Sequence, residues 1–295
     1  MVGEEKVRLD VLSRLRTYLS FVRFSHSLFA LPFALTGALL ASREHPITWH
    51  QAFWIVVCMV AARSAAMGFN RLADATFDAG NPRTVARELP SGRMSKTEAA
   101  LFVVVMSGAF VAGAAQLSRL CLTLSPVALL LIFWYSLAKR YTWATQFFLG
   151  LAMAIAPVGG WLAAGGGAGR EPWLLGLAIA LWVGGFDVLY ACQDLDVDRR
   201  QHLQSIPVRF GIARSLWISR VMHLGTIACL SLLGGVAGLG PLYLAGVAVV
   251  ASLLAYEQSL VSANDLSQVK RAFDLNGYVG ILYFIVTAAS VYLGH

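Results

Sequence analysis

Nine stretches of about twenty mostly apolar residues recur along this chain of 295 residues, at 22–42, 49–69, 98–117, 120–138, 144–164, 173–191, 215–236, 242–261 and 276–294. About twenty such residues are what an α-helix needs to cross the hydrocarbon core of a bilayer. Inside lipid, a segment must satisfy its own backbone polar groups, which leaves the helix as the outcome for stretches of this length. The predicted fold is therefore an all-α polytopic membrane protein with nine transmembrane helices. Composition agrees: 13% of the residues are charged, where soluble domains carry about a quarter. Pro32, Pro126 and Pro157 fall within the stretches and predict kinks that neighbouring helices accommodate. No internal repeat or low-complexity tail stands out, so residues 1–295 are expected to form a single integral domain.

Basic residues predict the orientation. Nineteen of the 23 lysines and arginines fall on one side of the predicted spans; Arg43, Arg119 and Arg170 fall opposite, and Arg63 lies inside a span. Such an excess marks the cytoplasmic side, which puts the N-terminus inside and His295 outside. The formal charge of +7 is thereby explained by a membrane surface, and no nucleic-acid partner is expected. Residues 1–21 show no apolar core with a cleavage site, so no signal peptide is expected. Their apolar positions (Val11, Leu12, Leu15, Tyr18, Leu19) recur at helical spacing among arginines, which predicts an interfacial helix. The four cysteines lack metal-ligand spacing.

Two acidic clusters close spans on this basic side. The first carries Asn70, Asp74 and Asp78 at four-residue steps, one face of a helix. The second carries Asp187, Asp194 and Asp198 at steps of seven and four, with Asp196 set aside. Ionisable residues in membrane segments are functional candidates by default. Two facing carboxylate stripes suit a hard cation, and Mg²⁺ typically joins one or two carboxylates to substrate phosphates. Arg83, Arg87 and Arg93 follow the first cluster, and arginine grips phosphate oxygens bidentately. Arg63 lies two turns before Asn70 on the same face, while Tyr135, Lys139 and Arg140 end the fourth span on the same side. Lys139 or Arg140 is a candidate for the diphosphate, and Tyr135 for facing a carbocation by cation–π attraction. Arg23 and His26 are candidates for an aromatic acid's carboxylate, and Tyr190 for orienting substrate. The pattern points to a membrane-embedded enzyme acting on a diphosphate. The competing reading, a secondary transporter, would set its ionisable residues near the bilayer midplane on broken helices.

Together these residues make the chain resemble the UbiA superfamily of intramembrane prenyltransferases, over essentially its whole length. Asn70, Asp74 and Asp78 resemble the family's first motif, with Arg63 upstream and the Arg87–Arg93 stretch after it. Asp187, Tyr190, Asp194 and Asp198 resemble the second, and Tyr135 with Lys139 the Tyr-x-x-x-Lys element. One departure is Arg71, where many members have Asp. The resemblance is nearest to 4-hydroxybenzoate polyprenyltransferases and related quinone-pathway enzymes. It implies helices around a central cavity open laterally to lipid, beneath cytoplasmic cap loops at about 70–97 and 192–214. It implies Mg²⁺ held by Asn70, Asp74, Asp78, Asp187, Asp194 and Asp198, and diphosphate bound by Arg63, Arg83, Arg87, Lys139 and Arg140. The implied reaction moves a polyprenyl group from its diphosphate to an aromatic acid, 4-hydroxybenzoate or alternatively a naphthoate such as 1,4-dihydroxy-6-naphthoate, in the cytoplasmic membrane.

Overall fold

The computed structural model describes residues 14, 16–22, 30–44 and 46–293. Residues 16–21 are helical, and the chain then forms α1 (Leu31–Ala41), α2 (Trp49–Ala79), α3 (Lys96–Leu117), α4 (Arg119–Ala138), α5 (Thr145–Ala163) and α6 (Glu171–Ala191). A 3₁₀ turn, Cys192–Asp194, leads into two short helices, α7 (Leu195–Arg200) and α8 (Ile206–Phe210). Three long helices follow: α9 (Ile212–Val236), α10 (Gly240–Ser259) and α11 (Val269–Leu293).

Among the described residues, eight helices are long and apolar enough to cross a membrane: α2 to α5, α6 continued through Arg200, and α9 to α11. The expected first span, 22–42, is described as the shorter apolar helix α1, because residues 23–29 lie outside the described set. Most predicted edges hold within three residues. Two do not: α2 runs ten residues past its apolar stretch to Ala79, and α11 starts seven residues early. Both overshoots are polar turns at the end of the bundle that carries the acidic motifs. The helical backbone continues there after hydrophobicity stops, so the first ten residues of the cap expected at 70–97 are helix. The cap expected at 192–214 is likewise mostly short helices.

Short side chains set the packing. A Cβ added at Gly37 of α1 would lie 1.9 Å from the Pro157 carbonyl oxygen of α5, and one at Gly160 would lie 2.0 Å from that of Ala34. These two helices therefore touch backbone to backbone, the mode expected where lipid supplies no hydrophobic drive between helices. Side-chain caps start α2, α3 and α4. Thr48 and Gln51 form a capping box at α2, and the Ser95 and Ser118 hydroxyls accept from the first-turn amides of α3 and α4.

Helices α1 to α6 leave between them a cavity of about 500 Å³. Its wall is almost wholly apolar, with Ala62 and Ala66 of α2 and Ala152 and Ala156 of α5 making the room. Arg63 is the one charged residue among the described lining, and Tyr135 lies on the same wall.

Candidate active site

The first motif keeps its predicted register. The Asn70 side-chain amide donates to Asp74 Oδ2 at 3.3 Å, one turn along α2. Asp74 and Asp78 are buried, as is Arg71 on the same face. Carboxylates this deep need partners, and the loops around them supply cations. Lys139 Nζ lies 2.6 Å from Asp74 Oδ2, with Arg140 3.8 Å from the other oxygen. Arg87 donates to both Asp78 oxygens at 2.8 Å. Arg83 pairs with Asp194, hydrogen-bonds the Tyr190 hydroxyl and lies 4.9 Å from the centre of its ring. Burial lowers the Arg83 pKa, but Asp194 and Tyr190 outweigh it and hold it above the usual arginine value.

These contacts join the motifs. Lys139, at the end of α4, acts electrostatically on Asp74, Asp187 and Asp198 alike. Tyr135, one turn earlier, feels Arg63, Asp74 and Asp187. The carboxylates of α2 and of α6–α7 therefore share one end of the bundle, above the cavity that Arg63 and Tyr135 line. Asp196 is exposed, as its spacing predicted. Arg140 and Lys139 both approach the Phe77 ring, at 5.2 and 5.9 Å. Tyr190 also meets Phe273, with ring centres 4.8 Å apart. Arg23 and His26 lie outside the described residues.

Sequence reasoning missed the polar contacts of the segment after the second motif. Helix α7 ends in a Schellman turn: Leu203 N–H donates to Asp198 O at 2.9 Å and His202 N–H to Arg199 O at 3.3 Å. The left-handed position that glycine usually fills is His202, at φ 55°. Gln201 then donates to the Phe77 carbonyl on α2 at 2.9 Å. A neutral amide in a loop carries no spacing signal. The one available cue was Gln146, a lone amide opening an apolar helix, whose Oε1 accepts from Ile206 N–H at 3.2 Å.

The donor set suits a hard divalent cation. All the candidate ligands are oxygens, and Asp74 Oδ1 is buried without a hydrogen bond. Among the described residues no three carboxylate, histidine or cysteine groups form a ready cage. That fits Mg²⁺, which takes one or two carboxylates and completes its shell with water and substrate phosphate.

The sequence model of the UbiA prenyltransferase family matches residues 30–285. A 4-hydroxybenzoate octaprenyltransferase of Aliivibrio fischeri is 33% identical over 254 residues, 86% of this chain and 88% of that one. The apo structure of a UbiA homolog from Aeropyrum pernix K1 is 33% identical with a TM-score of 0.82, over 92% of this chain and 98% of that one. A UbiA homolog from Archaeoglobus fulgidus, solved bound to GPP and Mg²⁺, shares the fold at 17% identity, with a TM-score of 0.72 over 93% of this chain and 99% of that one. The match runs through both aspartate motifs and the helices that bring them together, and this protein belongs to the UbiA prenyltransferase family.

Proposed function

We propose that the chain transfers a polyprenyl group from an allylic polyprenyl diphosphate to the ring of 4-hydroxybenzoate. The observation that carries this reading is Lys139, 2.6 Å from Asp74 and one turn beyond Tyr135, which lines an apolar cavity. A carboxylate cluster threaded with cations suits a diphosphate with its metals, and the cavity suits the tail, which reaches it from the bilayer.

Asn70, Asp74, Asp78, Asp187, Asp194 and Asp198 would hold Mg²⁺. Bound there, the metal supplies Lewis-acid stabilisation of charge on the leaving diphosphate. Arg83, Arg87, Lys139 and Arg140 turn from the aspartates to the phosphate oxygens, and Arg63 meets the diphosphate from the cavity side. Tyr135 presents its ring to the allylic cation. The apolar wall keeps water from that cation. Arg23, His26 and Tyr190 orient the aromatic acid, whose ring carbon attacks. The ring proton passes to an aspartate of the cluster, restoring aromaticity. The basic end of the bundle faces the cytoplasm, with the protein in the cytoplasmic membrane.

The Aliivibrio relative's acceptor favours 4-hydroxybenzoate over a naphthoate. A transporter is disfavoured because the charges gather at one end of the bundle. The test is a Mg²⁺-dependent reaction of purified protein with geranyl or longer polyprenyl diphosphates, followed by mass spectrometry. Parallel reactions would contain 4-hydroxybenzoate or 1,4-dihydroxy-6-naphthoate. Prenylated 4-hydroxybenzoate is expected; product from the naphthoate alone would overturn the acceptor, and no product with either would overturn the transfer.

A further inference from the structure

The segment 201–206, just past the second aspartate motif, is tied to three other helices by polar contacts. Gln201 Nε2 donates to Phe77 O of α2 at 2.9 Å. Gln204 N–H donates to Lys139 O, at the end of α4, at 2.7 Å. Ile206 N–H donates to Gln146 Oε1 of α5 at 3.2 Å. Within the motif itself, the Ser205 hydroxyl lies 3.3 Å from Asp198 Oδ2.

The Gln201 contact differs from the rest because it lands on the first motif. Phe77 sits between Asp74 and Asp78, and its carbonyl is in the last turn of α2, where helix carbonyls lack an intrahelical donor four residues on; it accepts from Gly80 N–H at 3.1 Å as well as from Gln201. The approach is close: a Cβ added at the neighbouring Gly80 would stand 3.0 Å from Gln201 Nε2. The aim of Gln201 is set by the turn that follows it, in which His202 holds φ 55°. A non-glycine residue persists in that region where its surroundings over-determine it. Another direct bridge to the second motif is Arg83, in the loop after α2, on Asp194 and Tyr190. Arg83 has a competing partner once a diphosphate arrives. Gln201 is neutral and bonds a backbone carbonyl, so its bridge stays when the arginine turns to phosphate.

We infer that Gln201 is a positioning residue: through Phe77 it fixes the separation of the two aspartate motifs and thereby the affinity of the pair for Mg²⁺. The inference rests on the metal–diphosphate reading above. A contact that merely anchors the loop would affect folding stability and leave the response to metal alone.

The test compares full-length wild type with Gln201→Met, which keeps side-chain length and loses the donor, and with Gln201→Ala. Thermal stabilisation in detergent is titrated with Mg²⁺ in the presence of inorganic diphosphate, a probe that involves no turnover. Both variants should need about fivefold more Mg²⁺ for half-maximal stabilisation, the factor that one neutral hydrogen bond is worth. Their turnover should recover as Mg²⁺ is raised. A lower melting temperature with an unchanged Mg²⁺ midpoint would make Gln201 a structural anchor and overturn the inference alone. A wild type that shows no response to Mg²⁺ would overturn the metal reading and this inference with it.

Discussion

Replacing Lys139 by methionine separates what this lysine does for folding from what it does in the reaction. Its Nζ lies 2.6 Å from Asp74 Oδ2, and the Asp74 side chain is only 5% exposed. Deleting one partner of a buried pair costs about 3–5 kcal/mol, because the other charge is left stranded. Two features reduce that here. The lysine side chain is 27% exposed, and Asp74 keeps the Asn70 amide at 3.3 Å and Arg140 at 3.8 Å. About 2 kcal/mol is the expected loss without metal, a fall of about 4–8 °C in melting temperature. Mg²⁺ should act in the opposite direction. In the wild type a metal must displace the ammonium from Asp74, whereas in Lys139→Met the carboxylate is open to it. Mg²⁺ alone should therefore raise the melting temperature of the variant more than that of the wild type. Turnover should still fall about 10²- to 10³-fold, because the leaving diphosphate loses a cation. Thermal unfolding with and without Mg²⁺, beside a product assay, measures both effects. A Mg²⁺ response in the variant equal to or below that of the wild type would show that lysine and metal do not share Asp74, and the reasoning would fail.

Three further outcomes are expected. Asp194→Asn should cut turnover by about 10³-fold or more while the protein stays folded in detergent; more than a tenth of wild-type activity remaining would remove Asp194 from the site. Chelation with EDTA should stop product formation and added Mg²⁺ should restore it, so turnover persisting in EDTA would contradict the metal reading. His202→Gly should stabilise the fold by about 0.5–1 kcal/mol: relief of the left-handed backbone exceeds the entropy that glycine adds to the unfolded chain. A lower melting temperature for that variant would show that the imidazole itself holds the turn.

The helices were legible in the sequence because a bilayer imposes one length on every segment that crosses it. The sequence was misleading where that constraint lapses, at the ends of α2 and α11, which run on as helix beyond the apolar stretch. The four-residue aspartate spacing was legible for a similar reason: helical periodicity fixes the face, and the Asn70–Asp74 hydrogen bond shows the register. The partners of the loop arginines were not legible. Arg83 reaches Asp194, 111 residues away, while Arg87 turns back onto Asp78, nine residues away. Both are arginines in one polar loop, and their destinations depend on how that loop folds. Its folding rests on contacts without any sequence periodicity, such as Thr84 Oγ1 to Asp78 O at 3.0 Å and Arg93 to Ala86 O at 2.6 Å.

The cavity and the acid cluster are built by the same helices, and this continuity is what suits them to one substrate with two unlike ends. On α2, Arg63 lines the cavity and Asp74 lies eleven residues farther on; on α4, Tyr135 lines it and Lys139 follows one turn later. At the rise of a helix these steps are about 16 and 6 Å, so the polar chemistry begins where the apolar wall stops. Helix α5 makes the space possible by using small residues in two directions. Toward α6, a Cβ added at Gly150 would come 2.1 Å from the Ala180 carbonyl oxygen, so that face closes backbone to backbone. At Gly159, which lines the cavity, an added Cβ would meet nothing within 4 Å. A small residue facing a neighbouring helix brings the two backbones together, and one facing the cavity leaves its volume open. The same composition thus holds the bundle tight at its crossings and hollow beside the charges, the arrangement the proposed transfer needs if the allylic group is to be kept out of water and its diphosphate among the carboxylates and cations.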